Sequence, residues 1–231
     1  MFFPWVGLFE QVRLADVVVH YDDVQIPQGR SFVTRVQVKT AQGSRWLTVP
    51  VRHEGKALIK DVRVDETQPW REKHLATLRR CYARAPHFEE MFALAERVYL
   101  ARTEYLCELN VAAIEAVSDY LGLRPRFILS SSLDASTRAT QRLVDIARTV
   151  GARRYVTGLG ALDYLEYDLF ENAGVRVEYM AYERAPYPQL HGPFTPYVTI
   201  LDCIANCGTA SAGYVRSGSV YWKDFIGHGQ P

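Results

Sequence analysis

The sequence predicts an α/β fold: a mixed β-sheet, a central helical block and a βαβ-type second half. Three observations predict it. Between residues 17 and 65 apolar side chains alternate or run in short β-branched stretches, the pattern of strands. From about residue 68 to residue 122 they recur every three or four positions, the pattern of amphipathic helices. Beyond residue 125 strand-like and helix-like segments alternate, the order of a right-handed parallel crossover. The 231 residues are read as one domain, long enough to bury a substantial core without staples.

Taken in order, GLFEQVRLA has helical spacing, with Leu8, Val12 and Ala15 on one side. VVVHYDDV reads as a strand and SFVTRVQVK as a second. RWLTVPVR is a third, and the AQGS turn before it is a hairpin signal. KALIKDVRVD is expected to close the β-rich part as a short fourth strand. The helical block then holds two or three helices, broken at Pro86 and capped at Gly122. RFILSSSL reads as a strand ending in three serines, and TRATQRLVDIARTVGA as a helix stopped by Gly151. RYVTGLG and VRVEYMAYE are further strands, YVTILDCIANCG a further helix, and the C-terminal end is rich in Gly and Ser.

Composition excludes several classes of function. A formal net charge of +1 offers neither nucleic acid nor an anionic membrane a field to bind. No apolar run reaches membrane-spanning length. The four cysteines form no CxxC pair, and the Cys203–Cys207 spacing places two thiols on one helical face. No structural zinc, no other metal, no disulfide and no cofactor are expected, in a reduced, cytoplasmic protein without a signal peptide.

One junction raises a chemical question. In VVVHYDDVQ a buried strand runs into Asp22 and Asp23. Adjacent strand residues face opposite ways, so one acid can enter a site while the other pins a turn. The alternative is that both cap neighbouring amides.

FFPWVGLFEQVRLADVVVHYDDVQ resembles the signature of the WbqC-like proteins, which open with Q-P-x-F-F-P-x-x-G-x-F and continue to Y-D-D-V-Q. The similarity extends through SFVTRVQV, WLTVPV, the W-x-x-K-H pattern, Tyr82 with Ala85-Pro86, Asn110, LGL, SSSL, VDIARTVGARRYVTGLGALDYL, Pro188-Gln189 and FTPYVTILD, nearly the whole chain. Two positions depart from the pattern. The family's opening strand precedes FFP, so either the start lies upstream of Met1 or this member lacks that strand. Thr34 stands where the family has Asn before Arg35.

The resemblance implies a role in assembling O-antigen, other glycans or secondary metabolites. It also implies an acyl- or aminoacyl-transfer chemistry that builds an amide on an amino group. The expected partners are a small-molecule amine and an activated acyl donor, such as a carrier-protein or coenzyme A thioester. The rival class is a non-catalytic ligand-binding or scaffolding protein in such a pathway. The opening is also loosely similar to a nucleotidyltransferase-type fold, without the histidines diagnostic of that motif.

On this reading His74, Asp22 and Asp23 are the catalytic candidates. His74 completes the K-H pair near a helix start, where the dipole lowers an imidazole's pKa. Against this stands a satisfied core histidine. His20, outside the motif, is read as packing. Gln25, Arg35, Lys73, Tyr82, Ser131, Gly160, Asp163 and Tyr164 are the substrate-binding candidates. Ser130 to Ser132 precede a helix, where hydroxyls and amides bind anions, or where Asp134 or Ser136 simply caps. Gly158 and Gly160 either admit a ligand to the backbone or only turn it. Cys203 and Cys207 offer a nucleophile or, more simply, inert buried thiols. The aromatic content suits sugar stacking as well as core packing.

Overall fold

The computed structural model describes residues 1–29 and 31–227; the last of the Gly/Ser-rich end, residues 228–231, lies outside them. Helix α1 (Val6–Arg13) opens the chain, followed by strands β1 (Val17–His20), β2 (Arg35–Thr40), β3 (Gly43–Thr48), β4 (Val51–Arg52) and β5 (Arg63–Val64). Helices α2 (Trp70–Tyr82), α3 (Phe88–Leu100) and α4 (Leu106–Tyr120) form the central block. The second half runs β6 (Arg126–Leu129), α5 (Ala139–Thr149), β7 (Arg154–Thr157), α6 (Tyr167–Asn172), β8 (Arg176–Ala181), α7 (Ile200–Cys207), β9 (Gly218–Tyr221) and α8 (Trp222–Gly227). The fold is mixed α/β, with its strands in four small sheets among the described residues.

The chain divides into two compact units, each assembled from three segments. Of the described residues, the first holds those within 1–9, 22–124 and 184–215; the second holds 10–21, 125–183 and 216–227.

In the first unit β2 and β3 pair antiparallel around the expected turn, from Arg35↔Thr48 to Thr40↔Gly43. Pro50, which donates no hydrogen bond, separates β3 from β4, so RWLTVPVR is two strands and not one. The KALIKDVRVD segment is also not one strand: Ile59–Asp61 tightens into a 3₁₀ turn before β5. The central block divides where Pro86 falls between α2 and α3. Gly122 ends α4 with φ of 73°, a conformation that costs glycine little. Leu78, Met91, Leu106 and Leu109 from these helices are fully buried.

Lys39 sits at the far end of β2 with only 4% of its surface exposed. Its Nζ donates to Gln189 Oε1 at 2.9 Å and to the carbonyls of Gly192 and Pro193 at 3.0 and 2.6 Å. All three ammonium protons are thereby used. This side chain ties the segment that precedes Tyr197 to the hairpin.

In the second unit β1 and β6 pair parallel, Val17↔Arg126 through His20↔Leu129. β7 pairs parallel with β8, and β9 adds antiparallel on the other edge of β8, making a mixed three-stranded sheet. The expected strand–helix–strand unit, β6–α5–β7, does not lie in one sheet, since β6 pairs with β1 and β7 with β8; the β7–α6–β8 connection instead joins two parallel neighbours. Val144, Phe170, Val177 and Tyr179 form its core, with Trp222 and Phe225 of α8 packed against it. Helix α6, β9 and α8 had no clear periodic signal because each is only four to six residues long. Neither Asp134 nor Ser136 caps α5; the N-cap position is Arg138, and Thr137 Oγ1 instead donates to Asp145, nearly two turns into the helix.

Lys39→Met keeps the aliphatic stem but removes all three of these hydrogen bonds, leaving Gln189 Oε1 with the Thr195 N–H alone. It is expected to lower unfolding free energy by roughly 1–3 kcal/mol. Urea denaturation checks this; an unchanged midpoint contradicts the clamp.

Candidate functional site

VVVHYDDVQ does not remain a strand. β1 stops at His20, and the unit boundary falls between Tyr21 and Asp22. The next residues hydrogen bond elsewhere in the first unit. Lys60 N–H donates to the Asp22 carbonyl (2.8 Å), Ile59 N–H to Val24 (2.9 Å), and Ile26 N–H to Ala57 (2.9 Å). The acids therefore open an antiparallel segment facing residues 57–60, and are not the tip of a sheet strand. Asp22 is buried at 3% exposure, and Asp23 is half-buried.

A concave site is present in the same unit. It is a cavity of about 280 Å³ whose wall takes Phe2, Pro4 and Trp5 from the N-terminal segment. Phe32, Arg35, Val36 and Gln37 come from β2 and its approach, and Tyr197 and Val198 from the segment before α7. Met1 completes the lining.

Local chemistry explains this convergence. Thr199 is fully buried, and its N–H donates to the Gln37 carbonyl at 2.8 Å. Its hydroxyl donates to the Phe3 carbonyl at 2.8 Å and accepts the Leu201 N–H as the N-cap of α7. Ile200 N–H donates to Pro4 and Phe2 N–H to Phe32, so the FFPW segment is stitched on both sides. Phe3 is held at φ of 38°, a region a bulky residue before proline rarely enters. Gly7 meets a second demand. A β-carbon there would come within 2.3 Å of the Trp5 ring, so only glycine lets Trp5 fold back over the start of α1.

Arg35 is the charged group of the wall. Its guanidinium stacks on Trp46 at 3.9 Å from the ring centroid. Its Nε is buried without a hydrogen-bond partner, and it makes no ion pair among the described residues. A fork donor held flat on an indole with unused donors suits a carboxylate or phosphate. The loop before it is fixed by Asn110, whose Nδ2 donates to the Val33 carbonyl at 3.0 Å.

The other expected residues of this unit lie elsewhere. His74 is 6% exposed in an aromatic box of Trp70, Tyr99 and Phe2. Its Nδ1 is 3.1 Å from Tyr99 Oη. Phe2, a wall residue of the cavity, lies 6.4 Å from the His74 ring, which is not itself in the wall. Burial depresses the imidazole to about 4, opposed by a hydrogen bond to the Thr48 backbone. Desolvation, not the helix dipole, is the main cause. Lys73 and Gln25 are exposed, the latter bridging to Leu58. Tyr82 is fully buried, its hydroxyl accepting the Lys39 N–H at 3.2 Å. Nearby Tyr187 donates to Asp202 Oδ1 at 2.9 Å, and burial raises the Asp202 carboxyl above the usual range.

The remaining candidates belong to the second unit. Ser131 lies in the 3₁₀ turn after β6, and Gly160 in the turn after β7, where a β-carbon would meet nothing within 4 Å. Asp163 and Tyr164 are exposed. Thr140 pins their loop, donating to the Tyr164 carbonyl and accepting the Glu166 N–H, both at 3.2 Å. Burial raises Tyr155 to about 12, opposed by a hydrogen bond with Thr157. Arg142 lies 5.1 Å over the Tyr21 ring.

Of the thiols, Cys81, Cys107 and Cys203 are buried and Cys207 is half-buried. Among the described residues, no group of three or more His, Cys, Asp or Glu side chains is disposed to hold a metal ion. No helix among them is long and apolar enough to cross a membrane.

The wall of the cavity draws on FFPWVG, SFVTRVQV and FTPYVTILD, and Trp46 beneath Arg35 on WLTVPV. The profile of the WbqC-like protein family matches residues 1–214. The chain belongs to this family. It is also similar to an uncharacterized protein of Mycobacterium tuberculosis, Rv1507c. The two are 32% identical over 219 residues, 93% of this chain and 94% of that one. No solved structure matches the chain. Within the family fold, Trp5, Phe32, Gln37 and Tyr197 are wall residues that motif reading passes over. They are aromatic or amide side chains of the kind that also fills cores, and only their shared presence in the family-like blocks marks them.

The His74 environment predicts a pH effect. The folded state keeps the ring neutral down to about pH 4, whereas the unfolded chain binds a proton below its ordinary value of 6.5. Stability present above pH 6.5 is therefore lost as pH falls from 6.5 toward 4. Denaturation of wild type and His74→Gln at several pH values should show a shallower decline in the variant across that window. Equal slopes contradict a buried neutral imidazole.

Proposed function

We propose that this protein is an amide-forming transferase, moving an activated acyl or aminoacyl group to an amine on a sugar or small metabolite. Its acid-bearing substrate is held by Arg35. The observation that carries the reading is the cavity itself. It is assembled from family-like blocks and floored by a stacked guanidinium with donors unused. Carboxylate or phosphate recognition by such a fork is a positioning device, and positioning is what an acyl transfer most needs.

An attacking amine must lose a proton, so the reaction also needs a base. His74 is not part of the cavity wall and is kept neutral by burial, so proton uptake there is disfavoured. Asp22 is the stronger candidate. It belongs to the same unit, and its charge is felt by Cys107, whose thiol burial and Asp22 together raise to about 11. The pathway setting in glycan, O-antigen or secondary-metabolite assembly is part of the same proposal.

One observation favours a second reading. The cavity wall contains no carboxylate, imidazole or thiol side chain, the composition of a site that binds without reacting. In that case the protein is a ligand-binding component of such a pathway.

The two readings separate on turnover. Coenzyme A thioesters supplied with amino sugars, and product amide followed by mass spectrometry, should show wild-type activity. Asp22→Asn should lower it about 10²–10⁴-fold, the usual share of a general base. Absence of product with every pair, alongside retained binding of the acid through Arg35, would establish the binding reading instead.

A further inference from the structure

The geometry points to an apolar ligand for the Arg35 cavity: an aryl or compact branched-chain acid, and not a sugar. This inference rests on the reading that Arg35 holds an acid-bearing substrate, and it assigns the cavity to the acyl side of the reaction.

Size is the first argument. A volume of about 280 Å³ is nearly twice the ~150 Å³ that suffices for a benzene ring in a protein interior. A ring with a short acid-bearing chain fills that space. A nucleotide or a whole coenzyme does not fit within it, so the remainder of a large donor would lie outside.

Wall chemistry is the second. Phe2, Pro4, Phe32, Val36 and Val198 offer carbon only, and Phe2 and Val198 are almost fully buried. The wall's polar side chains are Arg35, Gln37, the Tyr197 hydroxyl and the Trp5 indole. A pyranose carries hydroxyls around its whole rim, and each one buried without a partner costs roughly 1–3 kcal/mol. A hydrocarbon body has no such cost and gains from burial. A single acid group matches the single charged residue.

The rim is the third. Tyr197 is 54% exposed, its ring tilted against Trp5 at 5.9 Å, and its hydroxyl accepts from Arg184 at 2.9 Å. Phe32 is 57% exposed and lies 5.7 Å from Trp46, the indole that also stacks on Arg35. The wall thus includes two solvent-reaching aromatic rings, the groups that grip an aryl ligand by offset or edge-to-face contact. Tyr197 is assigned as the specificity-determining residue, because its ring can be removed without opening the buried core.

Isothermal titration of the full chain with phenylacetate and with glucuronate, two acids of similar size and equal charge, tests the assignment. Phenylacetate should bind at least about tenfold more tightly, with Arg35→Met abolishing binding of both. Tyr197→Ala should weaken phenylacetate about tenfold and leave any glucuronate binding unchanged. Tighter binding of glucuronate, still dependent on Arg35, overturns the apolar assignment while the Arg35 site stands. Binding of both acids that Arg35→Met leaves intact, or binding of neither acid, overturns both. Circular dichroism of the two variants confirms that any loss is local; should Arg35→Met unfold, Arg35→Lys, which keeps the charge without the fork, takes its place.

Discussion

One buried threonine organises the first unit. Thr199 uses its amide, its hydroxyl hydrogen and its hydroxyl oxygen on three different stretches of chain. The β2 edge, the FFPW segment and the first turn of α7 meet there. These stretches are remote in sequence, and ordering each costs entropy that local interactions alone do not recover. The strained backbone at Phe3 persists because its carbonyl is held and its ring is fully buried. Wherever that knot forms, Trp5, Gln37 and Tyr197 are delivered to one cavity.

Two further buried polar groups extend the same logic. Lys39 fastens the loop that precedes Tyr197, and Asn110 fastens the loop that precedes Arg35. Both spend side-chain donors on backbone carbonyls of these loops, holding stretches that no strand or helix ladder fixes. Polar residues that look like site candidates in a motif can therefore be the scaffold of the site. Tyr82 is the clearest example: it belongs to a family-like block, yet it lies fully buried against the Lys39 backbone.

This difference between motif and site explains what could be read in advance. The long helices α2 to α4 and α5 carry enough periodic residues to declare themselves, and Gly122 and Gly151 mark their ends through positive φ. The hairpin was legible because its turn residues and its alternation agree. Short elements were not: α6, β9 and α8 lack the length for a period to show. VVVHYDDVQ reads as one strand because hydrophobicity says nothing about which backbone partner each residue takes. The partner changes at Asp22. Arg35 was recognisable as a ligand residue by its chemistry and its block. Its neighbours Trp5, Phe32 and Tyr197 were not, since an aromatic residue in a core and one lining a cavity look alike in sequence. His74 shows the converse. Its type and position promise acid–base chemistry, and only burial reveals a ring packed among Trp70, Tyr99 and Phe2.

The dependence of the cavity on Thr199 is open to direct observation by amide hydrogen exchange. In the wild type the Thr199 and Ile200 amides, donated to Gln37 and Pro4, should exchange among the slowest of the first unit. In Thr199→Val, which keeps the shape but loses the hydroxyl, the Phe2, Ile200 and Leu201 amides should exchange markedly faster while those of α3 stay protected. Exchange at free-peptide rates in the wild type, or protection of all three amides in the variant, would contradict the account.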